Sequence, residues 1–268
     1  MAELAGKRAD TFPVSRERVN RGLLVLLGAA VVFCGCMAYL EISPSEAVKG
    51  FPAFVRFFVI KFLPASFKNI RAYVPAVIDT VLFAVAATYL STALSFLFGL
   101  LMSDKTNPIT PLRLLCRGII SFLRNVPVLV WASILVYMFG VGEIVGLLAL
   151  IIATLGFLSR SYAESISEIA GSHLEALQTA GASYGQVLVH GLIPEFLPSW
   201  INWTLFSFEI NIRASAILGM VGAGGIGVLI QTNLKLFKYQ EACAIILVVI
   251  IIVLLTEFMT NKIRRMIR

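Results

Sequence analysis

The chain has 268 residues, of which 59% are apolar, with a mean hydropathy of +0.90 and a formal net charge of +7. Soluble domains carry about 45–50% apolar residues, so the composition excludes an ordinary soluble enzyme and points to an integral membrane protein. No G-x-x-x-x-G-K-[ST] segment occurs, so the chain has no P-loop with which to hydrolyse ATP itself.

The N-terminal tail is basic, with Lys7, Arg8, Arg16, Arg18 and Arg21 before the first apolar run at 22–40. That run is too long for the apolar core of an ordinary secretion signal and lacks a small-x-small cleavage site, so it reads as a retained span. In the segment 41–73, Ser43 precedes Pro44 and Glu46, the pattern of a capped helix start. An interfacial helix is expected here, because a span through 51–63 would bury Arg56 and Lys61. Apolar runs of spanning length follow at 74–102 and 118–139, then at 144–158 with help from 159–163, then at 194–219 and 242–259. Pro127 removes a helix hydrogen bond inside the third run and predicts a kink there. Arg124 beside it is expected to snorkel to the surface. Gly140, Val141 and Gly142 form the turn before the fourth span, which Glu164 and Glu168 carry on beyond the membrane.

Six spans put both termini on one side. The basic tail and the C-terminal Lys262, Arg264, Arg265 and Arg268 make that side cytoplasmic. The loop 103–117 and the polar stretch 172–190 share it. The segment 41–73 then faces outward although it carries Lys49, Arg56, Lys61, Lys68 and Arg71, which runs against the usual charge rule. The four cysteines, Cys34, Cys36, Cys116 and Cys243, read as small packing residues. His173 and His190 have no ligand cluster or catalytic partners around them, so no metal site is expected.

The polar stretch holds two capping boxes. Ser172 precedes Glu175 by three, and Ser183 precedes Gln186 by three. A helix through Ala176 should end at Gly181, and a second should start at Ser183. The result is a helix–Gly–helix elbow outside the membrane. It resembles the EAA loop of bacterial ATP-binding-cassette (ABC) importer permeases, with Glu175, Ala176, Gly181 and Pro194 in register. Leu177, Gly191 and Ile193 depart from the usual letters.

The fifth span holds Glu209, Asn211 and Arg213, all costly at membrane depth. Glu209 and Arg213 are spaced for an ion pair along one helix. The pair is either structural glue between helices or places Arg213, whose fork of donors suits phosphate or phosphonate, beside a pathway. Asn211 lies on another face and lines either a pore or an interface. The glycines Gly222, Gly224, Gly225 and Gly227 fit a dinucleotide fingerprint in letters only, because no strand precedes them. They mark either an outer turn or a close approach of backbones near a pore.

Residues 208–230 resemble the permease subunit of phosphonate ABC importers: Phe208, Glu209, Asn211 and Arg213, then Gly219 through Gly227, match that family's pattern. With the elbow, the resemblance covers about 74–268, the expected permease core, while 1–73 is less distinctive. It implies an all-α integral membrane protein of the type I permease fold, with six transmembrane helices and a cytoplasmic coupling elbow. It implies a bacterial inner-membrane location, a second permease copy, a cytoplasmic ABC ATPase dimer and an extracytoplasmic substrate-binding protein, and no nucleic acid. It implies no cofactor in this chain; ATP and Mg belong to the partner ATPase, and the permease itself is not an enzyme. Expected coupling residues are Ser172, Glu175, Ala176, Gly181, Ser183, Gln186 and Pro194. Expected path residues are Glu209, Asn211, Arg213, Gly222, Gly224, Gly225 and Gly227. The substrate implied is phosphonate or a related phosphorus oxyanion such as phosphate or phosphite. Importers of methionine, betaine or sulfonates are the alternative, and an ATP-independent channel or secondary transporter is the rival class.

Overall fold

The computed structural model describes residues 16–41, 43–169, 176–177 and 179–267. Every regular element among them is helical. The chain divides at Phe58: the residues up to it and those from Val59 onward form separate packed units.

The first unit holds α1 (Arg16–Tyr39) and α2 (Pro44–Phe57). Pro44 starts α2, because its missing N–H costs nothing in a first turn. Ser43, in extended conformation before it, hydrogen-bonds Ser45 rather than capping the helix. The side chains of α1 described from Asn20 onward are almost all exposed.

A π-helical turn (Phe58–Phe62), which begins on the last residue of the first unit, leads toward α3 (Ile70–Met102) in the second. Then come α4 (Thr110–Asn125), α5 (Val128–Phe139), α6 (Glu143–Ile169), α7 (Ile193–Met220), α8 (Ile226–Lys235) and α9 (Tyr239–Ile267). The centre is the crossing of α3 and α6. Both lie parallel, because their contacts rise together along the chain. Ser91 donates to the Ile151 carbonyl at 3.1 Å, Ser95 to Leu155 at 3.5 Å, and Ser103 meets Ser167 at 3.0 Å. The buried face of α3 is small: Thr80, Ala84, Ala87, Ser91, Ser95 and Gly99. Lipid tails give helices no hydrophobic reason to associate, so small residues that admit close backbones do the work. A Cβ added at Gly99 would sit 2.9 Å from the Tyr162 Cβ. α7 runs antiparallel to the pair: Trp203 bonds Ser165 at 3.0 Å, Thr204 meets Tyr162 at 2.7 Å, and Asn211 meets Thr154 at 2.8 Å.

Among the described residues, four helical stretches are long and apolar enough to cross a membrane: Asn20–Tyr39, Ile70–Met102, Glu143–Ile169 and Tyr239–Ile267. The expected third span at 118–139 is not one straight helix. Its apolar run is divided between α4 and α5, which meet at 88°. Pro127 explains part of this, since it disfavours helical backbone at Val126 before it. Val126 is extended (φ −89°, ψ 120°), so the chain turns a corner rather than kinking. The Trp131 indole closes that corner by donating to the Leu123 carbonyl at 3.3 Å. The expected fifth span appears as α7, 28 residues long but diluted by Glu195, Glu209, Asn211 and Arg213.

The α3–α6 contact predicts a local cost. Gly99→Val forces the two helices apart and should lower stability by about 1–3 kcal/mol. Thermal unfolding in detergent should show a lowered midpoint, whereas Gly118→Val, which meets nothing within 4 Å, should leave it unchanged.

Candidate functional site

Three groups of residues converge on α7: the elbow at its start, a polar layer at its middle and the glycine turn at its end.

Ser172 and Glu175 lie outside the described residues, so the first capping box is not seen. Ala176 begins what is seen of the elbow, and its carbonyl accepts from the Ala180 N–H at 3.0 Å. Gly181 then adopts φ +84°, and the Ala182 N–H returns to the Leu177 carbonyl at 3.1 Å. This is the six-to-one bond of a Schellman stop, which needs the left-handed residue that glycine supplies. The chain restarts at Ser183, whose N–H donates to the Gln186 side-chain oxygen at 2.8 Å. The Ser183 side chain accepts from the Gln186 backbone in return, so the second capping box forms as expected, and the Ser183 hydroxyl also lies 3.0 Å from the Gln186 side-chain oxygen.

The restarted helix does not stop before the membrane. One turn (Tyr184–Gln186) passes through a π-helical segment (Val187–Leu192) directly into α7. Pro194 has no N–H to give, and in an α-helix its ring would meet the carbonyl of His190. The wider π segment before it carries the chain past that conflict. The elbow is therefore the head of α7 and is packed down. Val187, Leu192 and Phe196 form a core with Leu158, Tyr162 and Ile166, against which Leu177 and Ala182 also pack. The Tyr184 hydroxyl donates to the Thr106 carbonyl at 2.6 Å, tying the elbow to the segment between α3 and α4. Thr179, Ala180, Gly181, Ser183 and Gln186 remain exposed on the outer side of the turn.

The polar layer corrects the sequence reading. Glu209 does not pair with Arg213. Its carboxylate, 6% exposed, accepts from Arg264 of α9 at 2.8 Å and from the Thr260 hydroxyl beside it. The local spacing rule gave Arg213, but Glu209 is buried against α9, while Arg213, one turn further on, is exposed. Asn211 is buried at an interface: its amide donates to Thr88 of α3 at 2.9 Å, and its oxygen accepts from Thr154 of α6 at 2.8 Å. It staples three helices. Thr88, Thr154, Thr260 and Arg264 were not singled out from sequence. The hydroxyls of α3 carried a signal in their helical spacing, whereas Arg264 was absorbed into the basic C-terminus.

Arg213 itself is exposed, and among the described residues no hydrogen bond or ion pair involves it. Its neighbours on that face are Phe206, Ile210, Ile217 and Met220, all exposed. Spaced alternately by four and three, they form one straight stripe of a helix. Arg213 is the cation at its middle.

At the end of α7 the glycines turn the chain sharply. Gly222, Gly224 and Gly225 take φ of +96°, +83° and +71°. Gly219 and Gly227 face each other so closely that a Cβ on the first would lie 2.7 Å from the Cα of the second. The turn is held by its surroundings: the Ile226 N–H donates to Thr80 of α3 at 2.8 Å, and Ala223 presses on Gly146 of α6.

The pairing is testable by stability. Arg264→Ala leaves Glu209 buried without its cation and should cost about 3–5 kcal/mol. Arg213→Ala removes an unpaired, exposed group and should stay within about 0.5 kcal/mol. Unfolding midpoints of the two variants in one detergent would separate them. The reverse order would restore the Glu209–Arg213 pair.

The comparisons with known proteins agree on one family. Residues 95–268 match the family described as "Binding-protein-dependent transport system inner membrane component". The chain is 29% identical over 261 residues to the phosphite transport system permease protein PtxC of Stutzerimonas stutzeri, covering 93% of this chain and 94% of that one. It is 33% identical over 188 residues to the phosphate-import permease protein PhnE of Mycolicibacterium smegmatis, covering 70% of this chain and 35% of that one. Among solved structures, an inward-facing form of the MetNI methionine ABC transporter superposes with a TM-score of 0.68 at 20% identity, covering 76% of this chain and 99% of that one. That likeness concerns the fold.

Proposed function

We propose, for a chain that belongs to the binding-protein-dependent transport system inner membrane components, that it moves a phosphorus oxyanion — phosphonate, phosphite or phosphate — as the permease subunit of an ATP-driven importer. The observation that carries the substrate is Arg213, an unpaired guanidinium in the middle of an exposed apolar stripe. An anion leaving water needs compensating charge or donors. A guanidinium meets the oxygens of a tetrahedral oxyanion in pairs. The relatives named for phosphite and phosphate transport support the same chemistry. A zwitterion such as methionine or betaine brings its own cation and gains less from this residue.

The stripe of α7 suits a second copy of the chain about a two-fold axis, which would bring two copies of Arg213 to one path. Glu209, already neutralised by Arg264, would leave their attraction undiminished. Mg-ATP is bound and split by a separate cytoplasmic ATPase dimer that grips the exposed side of the elbows. An extracytoplasmic binding protein delivers the anion at the opposite end, and both termini are cytoplasmic. Closure of the ATPase dimer draws the elbows together. Because each elbow is the head of α7 and is tied to the α3–α4 segment by Tyr184, the path-lining face moves with it. ATP then acts through its different affinity for the two conformations.

Import should be measured in liposomes with the ATPase and binding protein present. Arg213→Ala should lower phosphite or phosphonate import by tenfold or more, roughly one charge-assisted hydrogen-bond pair, and Arg213→Lys should retain part of it. Wild-type import by Arg213→Ala would sink the substrate reading. Coupling is checked separately. Gly181→Pro cannot adopt φ +84°, since proline fixes φ near −65°. It should insert normally but lose substrate-stimulated ATP hydrolysis, and retained stimulation would remove the elbow from that role.

A further inference from the structure

The positive charges of the segment 41–73 defied the orientation rule, and the second unit gives part of them a place. Lys61 and Lys68 line a cleft of about 420 Å³ together with Lys238. Ser66, Gln240 and Glu241 complete its polar wall. The cleft lies at the end of the bundle opposite the elbow. α3 and α6 run parallel and finish beside the elbow, whereas Lys68 precedes α3 and Lys238 precedes α9. Its walls are fixed to each other: the Ser66 N–H donates to the Gln240 carbonyl at 3.0 Å, and the Cys243 thiol reaches the Leu63 carbonyl at 3.9 Å. On the far wall Phe237 takes φ +58°, a turn secured by the Lys238 N–H donating to the Asn233 carbonyl at 2.9 Å.

We infer that this basic cleft is a binding site for a phosphorus oxyanion on the extracytoplasmic mouth of the permease, where the anion pauses between its delivery and the path lined by Arg213. Three ammonium groups face one carboxylate, so the cleft carries net positive charge. Glu241 approaches Lys238 only to 4.0 Å, with Lys238 half exposed, too loose and too wet a pair to neutralise it. Lysines supply charge without fixed geometry, and Ser66 and Gln240 add neutral donors within the same cleft. That mixture favours weak, fast exchange, which a transit site needs. It also explains why basic residues stay on the outer side against the orientation rule. The cleft is concave and of small-molecule size, which favours a small anion over an acidic face of a partner protein. The assignment rests on the proposed phosphorus-oxyanion import and on the elbow being cytoplasmic.

The test titrates radiolabelled phosphite into the permease–ATPase complex in nanodiscs, without binding protein and on an Arg213→Ala background, so that the path arginine does not contribute. Saturable binding should weaken about tenfold in the triple variant Lys61→Gln, Lys68→Gln, Lys238→Gln, and should weaken with rising salt. It should be the same in neutral phosphatidylcholine and in anionic phosphatidylglycerol. Binding abolished by the anionic lipid would assign the cleft to headgroup phosphates and overturn the inference. So would phosphite binding unchanged in the triple variant, whether or not that variant loses its hold on the binding protein. Import by the wild-type importer is measured alongside. Normal import with unchanged binding in the triple variant removes the cleft alone, whereas absence of any phosphorus-oxyanion import removes the proposed substrate and the cleft's ligand together.

Discussion

A carboxylate sealed inside an apolar helix bundle must find a cation, and much of this fold follows from which one Glu209 finds. Its partner is Arg264, at the far end of α9, with Thr260 completing the contact. Leaving either charge alone would cost several kcal/mol, so the pair fixes both the rotation of α7 and the register of α9 against it. With α7 rotated that way, Asn211 turns inward to meet Thr88 and Thr154. Arg213, one turn beyond Glu209, lies on the exposed stripe. Glu209 and Asn211 thus hold the bundle together, while Arg213 stays exposed.

The rest of the bundle holds α7 along its whole length. Its head is the elbow and its tail is the glycine turn, with no flexible joint described between Tyr184 and Met220. Small residues seat α3 against α6, and glycine meets glycine where α7 folds back on α8. Such contacts are close-packed, which leaves little room for local rearrangement. The 88° corner between α4 and α5 is the clearest departure from straight spans, and there the backbone leaves helical geometry within an apolar run. Backbone of that kind is tolerated where protein or water covers it.

The sequence made the apolar runs legible because their length alone separates spans from loops. The stop at Gly181 was legible because only a left-handed residue ends a helix in that manner, and the restart at Ser183 through its cap. The partner of Glu209 was not legible. Arg213 sits four residues away on the same helix, while Arg264 is brought near only by the packing of α9, and a spacing rule cannot see tertiary contacts. The corner at Val126 was read as a kink, since a proline signals a missing hydrogen bond but not how far the chain then turns. The continuity of the elbow with α7 was missed because Pro194 reads as a start, and the π segment that bypasses it has no pattern in letters.

Arg213, unlike Glu209 and Asn211, is proposed to face a water-filled path used by an anion. Cysteine placed singly at 209, 211, 213 and 251 on a cysteine-free background tests it most directly, with a membrane-impermeant thiol reagent applied to the assembled importer. Only the cysteine at position 213 should react, faster during ATP turnover, and the transported oxyanion should slow its labelling. A cysteine there that behaves like one at the exposed apolar position 251, reacting with lipid-soluble reagents alone and indifferent to substrate, would contradict the account.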